Sequence, residues 1–173
     1  MKGKIVLIGY MGSGKSIVGF ELAKKLKINY FDLDNLIEES HSLTVSEIFK
    51  LKGEIFFRKR EHEIFTQKIM SEDDFVLSTG GGTPCYYNNH LLFEKENMQT
   101  IYLKASINTI TQRLVGQKDK RPLIQSLSNN DLAEYVGKHL FERSYYYNKA
   151  KYTISVDDKT ISQIVNEIVC LLQ

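Results

Sequence analysis

The chain of 173 residues contains few of the features that mark specialised classes of protein. Its two cysteines, Cys85 and Cys170, have neither C-x-x-C nor zinc-ligand spacing, which argues against disulfides and favours a reducing, cytoplasmic compartment. Only two prolines occur, and there is no low-complexity linker or internal repeat. These absences favour a single domain over residues 1–173, long enough to form a substantial core.

A strong excess of one charge and long apolar runs are also missing. The formal net charge is only +2, so bulk electrostatics gives no reason to expect binding to nucleic acid or to an acidic membrane. No apolar run approaches the ~20 residues of a membrane helix, and the first apolar run begins so early that we expect no signal peptide. We expect a cytoplasmic protein, and we expect it to act as a monomer.

Residues 9–16, Gly-Tyr-Met-Gly-Ser-Gly-Lys-Ser, match the phosphate-binding P-loop pattern G-x-x-x-x-G-K-[ST]. The apolar run at 5–8 predicts a buried parallel strand before the loop, and an amphipathic helix is predicted after it. The alternative is a glycine-rich turn that fits the pattern by chance, but the order strand, loop, helix favours a P-loop. The apolar arc of the helix is expected to hold Val18, Phe20, Leu22, Ala23 and Leu26.

The loop has the chemistry of a nucleotide site. Its glycines let backbone amides surround an anion, and the helix N-terminus adds partial positive charge. Lys15 would reach the β- and γ-phosphates, and the Ser16 hydroxyl would be a ligand of Mg²⁺. The residues expected to contact the nucleotide are Met11, Gly12, Ser13, Gly14, Lys15 and Ser16.

Short apolar runs alternate with helical patterns along the rest of the chain. This alternation predicts a parallel sheet with helices on both faces, and ligands then bind at the C-terminal ends of the strands. Thr44 and Glu47 form a capping-box pattern, and Gly53 is expected to break the helical region that follows. The further predicted strands are 29–33, 75–78, 100–103 and 152–156, and the further helices are 34–40, 44–51, 54–70, 88–95, 106–114, 130–147 and 161–172.

Asp32 and Asp34 come at the end of the second predicted strand, where alternation would place them on the same side. One carboxylate could bind a hydrated Mg²⁺, and the other could accept a proton from an attacking hydroxyl. The alternative for Asp34 is that it only caps the next helix.

The helix predicted at 54–70 carries charged residues on its apolar side. Arg58 and Glu61 are three residues apart, close enough to pair, and a paired arginine that faces a cleft suits bidentate binding of a carboxylate. The alternative is a purely structural buried ion pair. His62 lies on the same side, as a core or boundary histidine. The apolar arc is defined by Ile55, Phe57, Ile64, Phe65 and Ile69.

Arg143 repeats this pattern in the helix predicted at 130–147. It continues the apolar register of Leu132, Val136 and Leu140. Two inward-facing arginines on separate helices suggest one small acidic substrate. The alternative is a helix that has frayed before Arg143, which would leave the side chain at the surface.

Two loops complete the candidate site. Gly80, Gly81 and Gly82 follow a strand, which indicates close backbone approach to a ligand or to the P-loop. The charged stretch 117–122 is by default a solvated loop, but beside a nucleotide it also suits a mobile lid that places a cation on the transferring phosphoryl group. Arg121 is the first candidate for that cation and Lys120 the second.

The ordered set of motifs resembles the shikimate kinase family, small kinases of aromatic amino-acid biosynthesis. The resemblance implies a three-layer αβα P-loop NTPase fold with a five-stranded parallel sheet in the order 2-3-1-4-5. It also implies a substrate-binding region at about 33–62, a lid at about 114–125, and ATP-dependent phosphorylation of the shikimate 3-hydroxyl. Its pieces are the P-loop at 9–16, Asp-x-Asp at 32–34, Phe57-Arg58-x-x-Glu61, Gly80–Gly82, Arg121-Pro122-Leu123 and Glu142-Arg143.

The same resemblance implies a role for each matching residue. Asp34 would contact the ring hydroxyls and act as the base, and Asp32 would organise Mg²⁺ through water beside Ser16. The carboxylate of shikimate would be held by Arg58 and Arg143, and its ring by the backbone of Gly81 and Gly82. Lys15 and Arg121 would stabilise the transferring phosphoryl group. Arg113 would stack on the adenine, above the segment 157–160. One departure is Ser144–Tyr147, where the family usually has a Pro-Leu-Tyr-like segment.

Two other functions stay open from the sequence. Another small-metabolite kinase of this fold, for gluconate or a nucleoside monophosphate, would also use inward-facing arginines. A non-catalytic nucleotide-binding module would share the fold, but such modules typically lose site residues that are all present here.

Overall fold

The structure, a computed structural model, describes residues 3–116, 124 and 127–173. Most of the predicted lid, including Lys120 and Arg121, lies outside these described residues.

Five parallel strands form one sheet in the order β2-β3-β1-β4-β5, which confirms the predicted topology. The central strands β1 and β3 are almost fully buried on both faces, as expected for continuous apolar runs covered by helices on each side. Residues Val6 and Leu77 are partners in the β1–β3 register. The strands are β1 Lys4–Ile8, β2 Asn29–Asp32, β3 Phe75–Ser78, β4 Met98–Lys104 and β5 Tyr152–Ser155.

Six α-helices and two short 3₁₀ helices connect the strands of the described chain. The α-helices are α1 Lys15–Leu26, α2 Leu33–His41, α3 Val45–Met70, α4 Ile107–Val115, α5 Asn129–Tyr147 and α6 Ile161–Leu172. The 3₁₀ helices are Thr83–Cys85 and Asn89–Glu94. The second of these replaces the helix predicted at 88–95, and the first was not predicted. Across the described ranges, no helix has both the length and the apolar character needed to cross a membrane.

Local signals placed the helix boundaries well. Thr44 and Glu47 form the predicted capping box: the Glu47 amide donates to the Thr44 hydroxyl at 3.2 Å, and the Thr44 amide donates to the Glu47 carboxylate at 2.8 Å. Gly53 has the left-handed, non-helical backbone angles φ 80° and ψ 169°. The predicted break is therefore confirmed as a kink inside α3.

Two predicted core positions are wrong. Phe20 is 54% exposed and Ile55 is 84% exposed. Each is two residues away from a buried residue of its helix, Leu22 or Phe57, and a step of two residues turns a helix by about 200°. Both side chains are therefore largely exposed to solvent, and the Phe20 ring packs edge-on against Tyr30 of β2, with ring centroids 6.0 Å apart.

Candidate active site

The P-loop lies between β1 and α1, and its glycines have the backbone geometry that the turn requires. Gly12 and Gly14 have φ values of 81° and 96°, in the left-handed region that disfavours side chains. Helix α1 begins at Lys15, so its positive N-terminal end faces the loop. The Lys15 ammonium is buried and donates to the carbonyl oxygens of Gly9, at 2.8 Å, and Tyr10, at 3.0 Å. These bonds hold the lysine charge at the loop, as a phosphate site needs.

Ser16 and Asp32 come together at the start of α1 and the end of β2. The Ser16 hydroxyl donates to the Asp32 carboxylate at 2.9 Å, and the Tyr30 hydroxyl lies 3.4 Å from the same carboxylate oxygen. A hydroxyl and a carboxylate are hard oxygen donors of the kind that Mg²⁺ prefers, and one or two such groups suffice because Mg²⁺ keeps several waters. The donor set therefore fits the predicted cation. Tyr30 was not singled out from the sequence, although alternation within β2 places residues 30 and 32 on the same face and is the signal that could have identified it.

Asp34 lies close to Asp32, but not for the reason that the sequence suggested. Strand β2 ends at Asp32, which caps α2 by accepting a hydrogen bond from the Asp34 amide at 3.1 Å. Asp34 is therefore in the first turn of the helix, and the alternative that it acts as the cap is wrong because Asp32 does so.

The environment of Asp34 makes its carboxyl group a weaker acid. Burial, followed by the negative charges of Asp32 and Glu61, raises its pKa from the ordinary 3.8 to about 6, although Lys15 and Arg58 act in the opposite direction. A carboxylate whose pKa approaches neutrality is suited to accept a proton from a hydroxyl.

Arg58 and Glu61 form the predicted ion pair. The Nη1 atom of Arg58 is 2.7 Å from the carboxylate of Glu61, which is fully buried. The other Glu61 oxygen accepts a hydrogen bond from the Thr83 hydroxyl at 2.6 Å. Burial disfavours the Arg58 charge, but the charge and hydrogen bond of Glu61, together with Tyr86 and Glu54, favour it, and the pKa of Arg58 is raised. The guanidinium therefore keeps its charge, and the ring of Tyr86 lies 4.3 Å from it.

Arg143 is helical, because α5 continues to Tyr147, so the alternative of a frayed helix is wrong. Its guanidinium lies 5.4 Å from the centre of the Tyr10 ring. The Tyr147 hydroxyl donates to the carbonyl oxygen of Gly81 at 2.6 Å. This bond ties the end of α5 to the glycine triplet. Tyr147 belongs to the departing segment 144–147, and its spacing of four from Arg143 is the signal that could have identified it.

Asp34, Glu61 and Arg58 lie against the glycine triplet. Glycine is needed at these positions because a side chain would not fit. A Cβ on Gly80 would lie 3.1 Å from the Asp34 carboxylate and 3.0 Å from that of Glu61. One on Gly82 would lie 2.8 Å from the Arg58 guanidinium.

Gly81 lies at the junction with the P-loop. A Cβ there would be 3.3 Å from the Met11 amide nitrogen and 3.5 Å from the Arg143 guanidinium. The triplet therefore approaches the P-loop, which is one of the two interpretations that the sequence left open, and it also lies against the charged side chains. The other interpretation, approach to a ligand, stays a prediction.

An open cleft of about 540 Å³ runs from the P-loop to the triplet. Its far side includes Arg113, whose guanidinium donates to the Gly12 carbonyl at 3.0 Å, and the apolar residues Ile161 and Ile164 of α6. These two isoleucines were not singled out from the sequence, and they directly follow the segment 157–160 predicted to lie under the adenine. Arg58 and Arg143 do not line this cleft; they lie at the triplet beyond it.

His62, for which the sequence suggested no partner, has two. Its Nδ1 atom is 2.6 Å from the Asn89 side-chain oxygen, and its ring stacks on Tyr87 with centroids 5.4 Å apart. It is partly buried, in agreement with a boundary histidine.

Comparison with known proteins shows the family of this chain. The shikimate kinase family model matches residues 11–173. The shikimate kinase of Flavobacterium psychrophilum is 56% identical over 95% of this chain and 96% of its own. The solved structure of shikimate kinase from Bacteroides thetaiotaomicron superposes with a TM-score of 0.91, 32% identity and 99% coverage of both chains.

A second solved structure is a shikimate kinase of Acinetobacter baumannii in complex with shikimate. It superposes with a TM-score of 0.87 and 29% identity, over 99% of this chain and 93% of that one. The predicted resemblance is thus confirmed across nearly the whole sequence. The chain belongs to the shikimate kinase family.

Proposed function

We propose that this chain is an ATP-dependent shikimate kinase, which transfers the γ-phosphoryl group of ATP to the 3-hydroxyl of shikimate. The products are shikimate 3-phosphate and ADP, and the reaction belongs to the pathway to chorismate and the aromatic amino acids. Beside family membership, one observation carries the proposal: the glycine triplet brings a carboxylate, Asp34, and two guanidinium groups, Arg143 and Arg58, to the edge of the P-loop.

The acceptor would be oriented by its carboxylate. Arg58 and Arg143 belong to different helices, but their guanidinium groups lie beside neighbouring glycines of the triplet. They can therefore bind one small anion from two directions. Glu61 keeps Arg58 charged and in place. The backbone of Gly81 and Gly82 would contact the ring, since neither residue has a side chain to hold it away.

Asp34 would take the proton of the attacking hydroxyl. Its oxygen lies beside Gly80, and Asp34 lines the same cleft as the P-loop residues. Its raised pKa improves its match to that proton transfer. The new bond joins the hydroxyl oxygen to the γ-phosphorus, the bond to the β,γ-bridging oxygen breaks, and ADP leaves.

Charge on the transferring group would be stabilised by cations around it. Lys15 is held at the loop by two carbonyl oxygens, and Arg121, outside the described residues, would act from the lid. Ser16 and Asp32 would hold Mg²⁺, which neutralises phosphate charge when bound. The nucleotide would lie on Met11, Gly12, Ser13, Gly14, Lys15 and Ser16, with Arg113 at the adenine.

The direct test is ADP release measured with and without shikimate. We expect shikimate-dependent turnover in the presence of Mg²⁺ and ATP, and almost none for a Lys15→Ala variant of the same purity. A panel of other hydroxylated acids, including gluconate, tests substrate choice. Turnover with gluconate but none with shikimate would overturn the proposal, and nucleotide binding without turnover on any acceptor would favour a non-catalytic module.

The cytoplasmic location and the monomeric state remain predictions. Cell fractionation would test the first, and size-exclusion chromatography with light scattering would test the second.

A further inference from the structure

A long-range hydrogen bond joins the P-loop to helix α5. The hydroxyl of Tyr10 and the Nδ1 atom of His139 are 3.0 Å apart, although 129 residues separate them in the chain. Tyr10 is only 1% exposed, and it is not among the residues that line the nucleotide cleft. Its side chain is therefore directed toward α5 rather than toward the phosphates.

The same tyrosine ring supports Arg143. The guanidinium lies 5.4 Å from the ring centre, on the side where an aromatic face attracts a cation. His139, Arg143 and Tyr147 follow one another at intervals of four, so they form a stripe along one face of α5. At the start of this stripe His139 contacts Tyr10, and at its end the Tyr147 hydroxyl donates to the Gly81 carbonyl.

We propose that Tyr10 and His139 form a positioning pair that holds Arg143 in the orientation needed to bind the acceptor carboxylate. This inference rests on the proposed function, because it assigns Arg143 to the acceptor. The hydrogen bond to His139 fixes the Tyr10 ring, which then presents one face to the guanidinium and restricts the rotamers of Arg143. Binding of the acceptor therefore costs less side-chain entropy. The pair also ties the arginine's position to that of the nucleotide-binding loop.

The chemistry of His139 suits this role. Burial, followed by the positive charge of Arg143, lowers its pKa below the ordinary value. The neutral form of the ring is therefore favoured, which disfavours a second positive charge beside Arg143. The aromatic ring of Tyr135, whose centroid is 4.1 Å away, packs against it on the same helix.

The test measures steady-state kinetics with shikimate and with ATP on four variants, each checked by its melting temperature. Tyr10→Phe and His139→Leu remove the hydrogen bond and keep apolar bulk. We expect the KM for shikimate to rise about three- to tenfold, as for one neutral hydrogen bond, with kcat and the KM for ATP within about twofold. His139→Gln can still bond Tyr10 and is expected to stay close to wild type. Tyr135→Phe is the matched control, because it removes a tyrosine hydroxyl and keeps the ring, as Tyr10→Phe does.

A double-mutant cycle separates positioning from general packing. In an Arg143→Gln background, Tyr10→Phe is expected to have no further effect on kcat/KM for shikimate, because the group that it positions is gone. An unchanged shikimate KM in Tyr10→Phe and His139→Leu, or an equal effect with and without Arg143, would overturn the inference while the kinase activity stood. Wild-type enzyme without any shikimate turnover would instead overturn the proposed function, and this inference with it.

Discussion

Replacing Asp34 by asparagine is expected to make the protein more stable and far less active. The raised pKa means that the folded state holds the Asp34 proton more tightly than the unfolded state does. The associated stability is complete below the ordinary pKa of 3.8 and is lost as the pH rises through about 6. Above that pH, wild-type protein must fold with a carboxylate that is costly to ionise, whereas asparagine stays neutral.

The magnitude follows from the two pKa values. The interval between the ordinary 3.8 and about 6, at 1.36 kcal/mol per pKa unit, amounts to roughly 3 kcal/mol at pH 8. The same linkage leaves roughly half of that difference at pH 5 and little at pH 4. For a chain of this size, each kcal/mol is worth about 2–4 °C in melting temperature. We therefore expect Asp34→Asn to melt several degrees above wild type at pH 8, with a difference that shrinks as the pH falls.

Two assays check this prediction together. Urea or thermal unfolding at pH 5, 6, 7 and 8 gives the stability difference, and the ADP-release assay is expected to show kcat lowered by about 10²–10⁴-fold through loss of the base. Asp73→Asn makes the same chemical change at an exposed position and is expected to alter stability by no more than about 0.5 kcal/mol at any of these pH values. An Asp34→Asn protein that is less stable than wild type at pH 8, or a stability gain that does not vary with pH, would refute the reasoning.

Three further predictions concern the acceptor side. Arg58→Ala and Arg143→Ala are each expected to weaken shikimate binding by about 10–100-fold through loss of a charge-assisted hydrogen bond, with ATP affinity unchanged. Calorimetric titration with shikimate checks this, and wild-type affinity in both variants would contradict the carboxylate assignment. Glu61→Gln removes the buried carboxylate that pairs with the partly buried Arg58, which then keeps the more exposed carboxylate of Glu54 at 3.3 Å. It is expected to cost about 1–3 kcal/mol in urea unfolding, so a loss below about 0.5 kcal/mol would contradict the importance of the pair. Gly82→Ala puts a methyl group 2.8 Å from the Arg58 guanidinium and is expected to raise the shikimate KM by at least about tenfold by displacing it. Steady-state kinetics checks this, and an unchanged KM would contradict the need for space at this glycine.

Features that depend on neighbours in the chain could be predicted from the sequence. The P-loop, the Thr44–Glu47 capping box and the break at Gly53 need only local geometry, and all three are present in the structure. The pairing of Arg58 with Glu61 also follows from a spacing of three on one helix. Alternation of strands and helices was enough for a parallel sheet, because such strands require crossover connections. The family resemblance supplied the strand order.

Errors arose where the strand period was applied beyond the end of a strand, and where the helical period was applied too loosely. Asp32 and Asp34 were compared as strand neighbours, yet the strand ends between them and a helix cap brings them together. Phe20 and Ile55 were counted as core residues because they are apolar, although helical geometry turns them toward solvent.

Local residue patterns were enough to identify the chemical groups of this enzyme: a phosphate loop, two aspartates, two inward arginines and a glycine triplet. Which of these groups meet, and how their chemistry changes, follows from the folded chain. The pKa of Asp34 depends on burial and on Glu61, which comes from another helix. The positions of Arg58 and Arg143 depend on Gly82 and Gly81, whose missing side chains leave room for the guanidinium groups. The link between Tyr10 and His139 joins residues 129 positions apart. Such relations depend on distances through space, which a local pattern of residues does not contain.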